Sequence, residues 1–299
     1  MPIDEREQDN RVLRTLIITA LKETGRSRDA VYEKIGEFYY FNAPKYLYKY
    51  YSESPLNLDA IKKHEMWYSA PCNFNDAFDC DISINEKALF ECFLKEASQE
   101  RRIRQGSSGW MNLKGVVHKQ IHNLQEEFEE TKRTTGISCL SESDSSLLMW
   151  AHYANNHKGM CVEYELLKIS NQLKFTPVPV IYTNDRVTLS SLESENLDRD
   201  TMKIFVESIT TKSSEWNYEK EWRIIRDEAA CGTRWNKADK GALLEMIRPT
   251  SITLGCRAEG NFEKSVRKYC EKEKVTLYKM EKNKDKYQLD KKVVVGFSN

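Results

Sequence analysis

Tyr218–Ile225, with the sequence YEKEWRII, predicts a β-strand around which the rest of the chain can be organised. Aromatic and β-branched residues alternate in it with charged ones, and no Gly or Pro interrupts. On such a strand Glu219, Glu221 and Arg223 project to one face, with the two carboxylates about 6–7 Å apart, two strand rises. If they border a cleft, one can stabilise positive charge while the other activates an acceptor. The alternative is a solvated strand face with an internal Glu–Arg ion pair.

Charge and cysteine usage narrow the class of protein. The chain has 299 residues, with 46 basic and 46 acidic ones, so no global charge draws it to nucleic acid or to a membrane. No apolar run approaches the roughly 20 residues that span a bilayer, and the charged N-terminus does not resemble a signal peptide. None of the eight cysteines forms a CxxC pair, which favours reduced thiols. We expect a cytoplasmic protein without membrane partners.

Several common catalytic motifs are absent from the sequence. It contains no GxGxxG, no GxxxxGK[ST] and no HExxH, so neither a Rossmann cofactor site nor a P-loop is indicated. His152 and His157 are five residues apart, which does not place two ligands on one helix face. We therefore expect no metal site, and structural roles for both histidines.

Hydrophobic periodicity divides the chain into three parts. Residues 1–44 predict a helical N-terminal segment, and residues 45–281 a single α+β domain with a helical insertion at about 86–131. Residues 282–299 form a charged C-terminal segment, whose lysines are typical of a solvated face; they would contact a phosphate backbone if the acceptor were a nucleic acid. Strands are expected at residues 45–51, 65–69, 136–140, 160–164, 178–182, 218–225, 251–254 and 275–280.

Three segments place polar groups where a predicted strand meets a loop. They are LYKYYS at residues 47–52, ISCLSES at residues 137–143, and the strand that carries Glu219 and Glu221. Taken singly, each is typical of an ordinary edge strand, helix cap or surface ion pair. Composition alone does not say whether they meet in space.

Their order resembles a bacterial family catalogued as domain of unknown function twenty-nine seventy-one. The matching segments include LYKY at 47–50, MWYS at 66–69, FND at 74–76, SCLS at 138–141, MWAHYA at 149–154 and WNYEKEWR at 216–223. Together they span about residues 45–230. The chain departs from the family pattern at Ala77, where Pro is usual, and at Asp79, where Glu is common.

The motif order is also similar to that of the ADP-ribosyltransferase superfamily. In those enzymes a strand with a cationic residue is followed by a Ser-rich strand and later by a strand that bears Glu-x-Glu. Lys49 takes the first position, where Arg or His is usual; Ser138 and Ser141 take the second, and Glu219 with Glu221 the third. The resemblance implies an α+β fold with an ADP-ribosyltransferase-like split mixed or antiparallel sheet, flanking helices and a helical N-terminal segment.

The same resemblance implies roles for individual residues. Loss of nicotinamide from NAD leaves an oxocarbenium-like ribose, and a nearby carboxylate lowers that barrier electrostatically. Glu221 would supply this charge, Glu219 would engage the acceptor nucleophile, and Ser141 would position Glu221 by a hydrogen bond. NAD would contact six residues: Tyr48, Lys49, Tyr50, Asn75, Ser138 and Tyr153. Trp150 is expected in the core.

The implied activity is NAD-dependent ADP-ribosyl transfer, a glycosyltransferase reaction with NAD as co-substrate. The acceptor would be an intracellular macromolecule, either protein or nucleic acid, and the setting a toxin or an antiviral-defence effector with an antitoxin-like inhibitor. Two alternatives stay open at this point. One is an NAD glycohydrolase, in which water replaces the acceptor, and the other is a non-catalytic sensor or interaction module on the same fold.

Overall fold

The computed structural model describes residues 5–173, 176–190 and 197–297. The chain is an α+β protein with a large mixed, mostly antiparallel sheet and N-terminal helices, and at this level the prediction is confirmed. Residues 1–4 and 298–299 of the two predicted terminal segments lie outside the described residues. Among the residues that the structure describes, no helix is both long and apolar enough to cross a membrane.

The helices and strands of the described residues are as follows. The helices are α1 (Glu5–Lys22), α2 (Gly25–Phe41), α3 (Pro55–Lys62), α4 (Glu86–Glu100), α5 (Ser108–Thr134), α6 (Leu147–His152), α7 (Leu166–Leu173), α8 (Leu197–Ile209), α9 (Glu228–Cys231) and α10 (Gly260–Glu273). The strands are β1 (Tyr46–Tyr51), β2 (Glu65–Ser69), β3 (Ser83–Ile84), β4 (Thr135–Ser141), β5 (Met160–Glu165), β6 (Val178–Pro179), β7 (Ile181–Thr183), β8 (Thr188–Leu189), β9 (Thr211–Ser213), β10 (Glu221–Asp227), β11 (Gly241–Glu245), β12 (Ser251–Leu254), β13 (Thr276–Lys282) and β14 (Leu289–Val295).

The chain divides into two compact units. The first comprises Met1–Ile35, Ala70–Thr135 and Ile181–Ser214, and the second comprises Gly36–Ser69, Gly136–Val180 and Glu215–Asn299. Each unit therefore gathers segments that are distant in sequence.

The first unit contains the helical hairpin that the sequence predicts at about residues 86–131. Apolar residues of α5 recur at spacings of three and four, and bury one stripe of the helix against α4. Asn85 caps α4 and Ser107 caps α5 by accepting backbone N–H groups of the first turn. Two short parallel pairs, β3 with β8 and β7 with β9, also belong to this unit.

The second unit is built on a ten-stranded sheet. Eight strands follow the order β11-β2-β4-β1-β5-β12-β13-β14, and β10 pairs with both β4 and β6. β1 is antiparallel to β5 along its whole length and meets β4 where Tyr48 lies opposite Ser141. The parallel pair β12 and β13 is joined by α10. Trp150, fully buried beside the sheet, belongs to the core as predicted.

The strand predicted at residues 218–225 begins later than its pattern indicates. Ser214–Glu219 is a 3-10 helix, and Lys220 has a left-handed φ of 44°, so β10 begins only at Glu221. The prediction that Glu219 shares the strand and face of Glu221 is therefore wrong. A hydrogen bond from Glu142 N–H to the Lys220 carbonyl, 3.0 Å long, holds the turn. This long-range contact overrides the local alternation.

The charged C-terminal segment, predicted only to present a solvated lysine face, also forms a strand. It contains β14, which pairs antiparallel with β13 over Leu277–Lys282. β14 presents both apolar and charged side chains because it is an edge strand of the sheet. The helices α7 and α10 and the short strand β11 are further elements absent from the prediction.

Candidate functional site

Three strands of the second unit bring the predicted motifs together. β4 carries Ser138 and Ser141 and pairs with both β1, which carries Lys49, and β10, which carries Glu221. Lys49 and Glu221 are more than 170 residues apart in sequence, so the pairing of these strands, rather than local pattern, makes them neighbours.

Glu221 and Arg223 form an ion pair inside the protein. The guanidinium of Arg223 donates to both carboxylate oxygens of Glu221, from Nε at 2.8 Å and from Nη2 at 3.1 Å. Arg223 is fully buried and Glu221 is only 4% exposed. The alternative of a Glu–Arg pair is therefore correct in its partners but wrong in its setting, because the pair is enclosed instead of solvated.

We use the name buried polar cluster for five neighbouring residues, of which Ser138, Glu221 and Arg223 are buried and Cys139 and Lys49 are partly buried. Lys49 joins the ion pair in this cluster. Its Nζ donates to the Cys139 carbonyl at 2.8 Å and to Ser138 Oγ at 3.3 Å. Burial of the ammonium lowers the pKa of Lys49, and the nearby Cys139 and Glu221 act in the opposite direction. Burial, followed by the negative charge of Glu221, raises the pKa of the Cys139 thiol well above its usual value.

Glu219 has partners of its own. Ser141 Oγ donates to the backbone carbonyl of Glu219 at 2.5 Å, and the Tyr153 hydroxyl donates to its carboxylate oxygen Oε1. Ser141 thus fixes the turn that carries Glu219, whereas the superfamily resemblance implies a hydrogen bond from Ser141 to Glu221. The two carboxylates, expected to act side by side, are held by different groups.

Tyr48 and Tyr50 lie on the face of β1 opposite to Lys49 and contact other residues. Side chains alternate between the two faces of a strand, and the tyrosines belong to the other face of β1. Tyr50 packs edge-on against Trp150, with ring centroids 5.2 Å apart, and donates to the Ser143 carbonyl at 2.8 Å. Burial is the largest of the causes that raise the pKa of Tyr48. Lys49 and the two tyrosines therefore lie on opposite faces of β1, and their grouping around one NAD molecule stays a prediction.

Partly buried aromatic residues lie on this second face of the sheet. We call it the tyrosine face: Tyr48, Tyr153 and Tyr218, all packed on the core cluster that contains Trp150. His152 Nδ1 lies 3.1 Å from the Tyr218 hydroxyl. Glu219 meets this face through its hydrogen bond with Tyr153, so its carboxylate lies beside half-buried aromatic side chains. Glu219 itself is only 3% exposed, and it is therefore as enclosed as Glu221.

One predicted site residue lies in a different unit from all the others. Asn75 is exposed in the first unit, just after a short 3-10 helix at Pro71–Asn73, whereas the other predicted site residues belong to the second. Among the described residues, no group of three or more His, Cys, Asp and Glu side chains is arranged to hold a metal ion.

Two residues of the site, Cys139 and Glu142, are only weakly marked as site residues in the sequence. Cys139 is a single cysteine within a strand, and its proximity to Glu221 follows from the pairing of β4 with β10. Glu142 accepts a 2.6 Å hydrogen bond from the Trp222 indole and also supplies the N–H that holds Lys220. In the sequence, Glu142 is marked by its place directly after the Ser-rich motif.

The second unit thus defines an α+β protein with a buried polar cluster beneath a tyrosine face. Residues 149–224 match the model of a family described as "Protein of unknown function (DUF2971)". The match includes Tyr153, Glu219, Glu221 and Arg223, but it covers about a quarter of the chain and excludes Lys49 and the Ser-rich motif. No curated protein and no solved structure matches the chain.

Proposed function

We propose that the chain is an NAD-dependent ADP-ribosyltransferase whose reactive carboxylate is Glu219. The observation that carries the proposal is the hydrogen bond from Tyr153 to Glu219 at the tyrosine face. At this face a carboxylate, a phenol and several aromatic rings lie close together. Nicotinamide and adenine stack on rings of this kind, and a carboxylate stabilises the positively charged ribose that forms when nicotinamide leaves.

The separate partners of the two glutamates determine the roles that we propose. Glu221, clamped by Arg223 at 2.8 Å and 3.1 Å, holds the start of β10 in place. Glu219, at the end of the preceding 3-10 helix, is buried and bonded to the half-buried Tyr153, and it would act on the ribose and then on the acceptor. This reverses the assignment from the motif order, in which Glu221 stabilises the ribose.

The reaction follows from the chemistry of the glycosidic bond. The bond between ribose C1 and the nicotinamide nitrogen breaks, and its electron pair leaves with nicotinamide. An acceptor nucleophile then forms the new bond to C1 and gives up its proton to Glu219. With water as acceptor the same steps give NAD hydrolysis. Transfer to an intracellular macromolecule, in a toxin or antiviral-defence effector, is the biological setting that we propose.

The test is the release of nicotinamide from NAD by the full chain, with and without cell extract as a source of acceptors. We expect release by the wild type and a loss of about 100-fold or more in Glu219→Gln, as for removal of one transition-state electrostatic contact. Glu245, exposed on β11, provides the matched control Glu245→Gln, which should retain wild-type activity. Both variants are checked for folding by circular dichroism.

A second candidate, the non-catalytic interaction module, is favoured by the enclosure of Glu221 and Arg223, since a buried bidentate pair is a common structural device. Absence of nicotinamide release under every condition, from well-folded wild-type protein, would overturn the enzymatic proposal and leave this one. If the chain is a toxin, cells that express the wild type should grow more slowly than cells that express Glu219→Gln.

A further inference from the structure

A pocket with a strongly cationic lining lies at the end of the β13–β14 hairpin in the second unit. Its volume is about 540 Å³, within the range of small-molecule and cofactor sites. Four cationic side chains and one carboxylate line it: Arg257, Lys282, Lys284, Lys286 and Asp285. This local excess of positive charge contrasts with the exact balance of acidic and basic residues over the whole chain.

The hairpin loop that presents the lysines is internally organised. The side-chain oxygen of Asn283 accepts the backbone N–H groups of Asp285 and Lys286, both at 2.9 Å, and its amide nitrogen donates to Asp290. A backbone hydrogen bond from Asn283 to Gln288 closes the loop at 3.0 Å. Lys284 and Lys286 are therefore displayed from a loop with a defined backbone.

The opposite wall is a second fixed turn. Asn155, Asn156 and His157 have left-handed φ values of 42°, 54° and 68°, and the His157 carbonyl accepts the backbone N–H of Arg257 at 3.0 Å. A Cβ at Gly255 would lie 2.1 Å from that carbonyl, so close approach of the two turns requires glycine. This contact places Arg257 beside His157 at the pocket.

The electrostatics of His157 report the same positive field. Its pKa is lowered by burial first, and then by the charges of Arg257 and Lys282. Apolar side chains, among them Leu147 and Leu289, form another part of the lining, and Tyr287 on the hairpin loop is fully exposed. Cationic groups beside apolar and aromatic surface suit a ligand with both phosphates and a flat base.

We propose that this pocket binds a small ligand with two or more phosphate groups, of the nucleoside diphosphate class. The four cationic side chains outnumber the single carboxylate of Asp285, and two phosphate groups would balance this positive charge. The pocket is also a concave site of limited size. A nucleic-acid strand would instead need a basic groove that tracks its backbone. The proposal does not depend on NAD chemistry, because it concerns binding at the hairpin and not the carboxylate of Glu219.

The experiment is isothermal titration calorimetry on the full chain with ADP, inorganic pyrophosphate, adenosine and a thymidine dodecanucleotide. We expect 1:1 binding of ADP and pyrophosphate that weakens with salt, and no binding of adenosine. Arg257→Ala and Lys284→Glu should each weaken ADP binding about tenfold or more, the size expected for one charge-assisted contact. Lys268→Glu, exposed on α10 outside the pocket, is the matched control and should bind like the wild type.

Three results would overturn the proposal: no binding of ADP or pyrophosphate, binding unaffected by the pocket variants, or a preference for the dodecanucleotide over ADP. Lys284 is exposed on the hairpin loop, so Lys284→Glu keeps the test valid if Arg257→Ala fails to fold. As an independent measure, saturating pyrophosphate should raise the pKa of His157 in an NMR titration, because a bound anion offsets the charges of Arg257 and Lys282. ADP has no nicotinamide to release, so its failure to bind is separable from failure of the proposed NAD reaction.

Discussion

Arg223 donates two hydrogen bonds to Glu221, its neighbour but one on β10, and both residues are enclosed by protein. The pair joins the cluster around Lys49 and Cys139 and lies directly after the turn that carries Glu219. Its integrity therefore matters to the fold whether or not Glu219 is catalytic.

Arg223→Met should destabilise the protein by about 3–5 kcal/mol, because it leaves a buried carboxylate without its main partner. Urea unfolding followed by tryptophan fluorescence measures the effect. Lys62→Ala removes a lysine from an exposed ion pair with Asp59 and should cost no more than about 1 kcal/mol. A cost for Arg223→Met that is as small as this control would show that the pair contributes little.

Tyr153→Phe removes the hydroxyl that donates to Glu219 while it keeps the ring. We expect a stability loss of about 1.5–3 kcal/mol, the range for a lost hydrogen bond to a charged group, together with reduced nicotinamide release. Tyr218→Phe is the comparison, since its hydroxyl bonds to His152 at the surface and its loss should cost less. Equal effects of the two variants on stability and on activity would argue against a special role for Tyr153.

Gly159→Ala should be severely destabilising. A Cβ at this position would lie 1.9 Å from the Tyr51 carbonyl, which belongs to the backbone of β1 and cannot move without shifting the strand. The expected loss is several kcal/mol, beyond the usual range of about 1–3 kcal/mol for overpacking. Gly36→Ala, within α2, meets no atom within 4 Å and should gain about 0.5–1 kcal/mol. Thermal unfolding of both variants tests the contrast; similar melting temperatures would refute it.

Acid should weaken the fold in part through His157. Its pKa in the folded protein is lowered by burial and by the charges of Arg257 and Lys282. As pH falls below about 6.5, the usual pKa of histidine, the unfolded chain takes up a proton that the folded chain resists, so stability falls until the folded pKa is passed. His157→Gln should show a smaller loss between pH 7.5 and 5.5 in urea unfolding. An unchanged loss would assign the acid sensitivity to other groups.

Local pattern predicted much of the secondary structure. The strand at Glu65–Ser69 and the strand at Ser251–Leu254 have their predicted ends, because alternation and flanking turn residues act over a few positions. The helical hairpin of α4 and α5 followed from apolar spacing. Such features depend on neighbours in the chain and are therefore visible in the sequence.

The candidate site depended on more distant contacts. Lys49 and Tyr50 are adjacent in sequence, yet one bonds to Cys139 and the other packs on Trp150. The alternation of strand side chains predicts that they separate, but only the pairing of β1 with β4 and β5 decides what each face meets.

The sequence alone determined that the chain carries paired glutamates, a serine-rich strand end and a lysine-rich C-terminal region, since these are matters of composition and spacing. Tertiary structure decided their use. The hydrogen bonds of Ser141 and Glu142 turn the chain at Lys220 and separate Glu219 from Glu221, and the hairpin of β13 and β14 gathers the lysines around a pocket. The first outcome follows from hydrogen bonds between residues far apart in the chain, which local propensity does not encode. The second combines a local hairpin with the long-range hydrogen bond between Arg257 and His157.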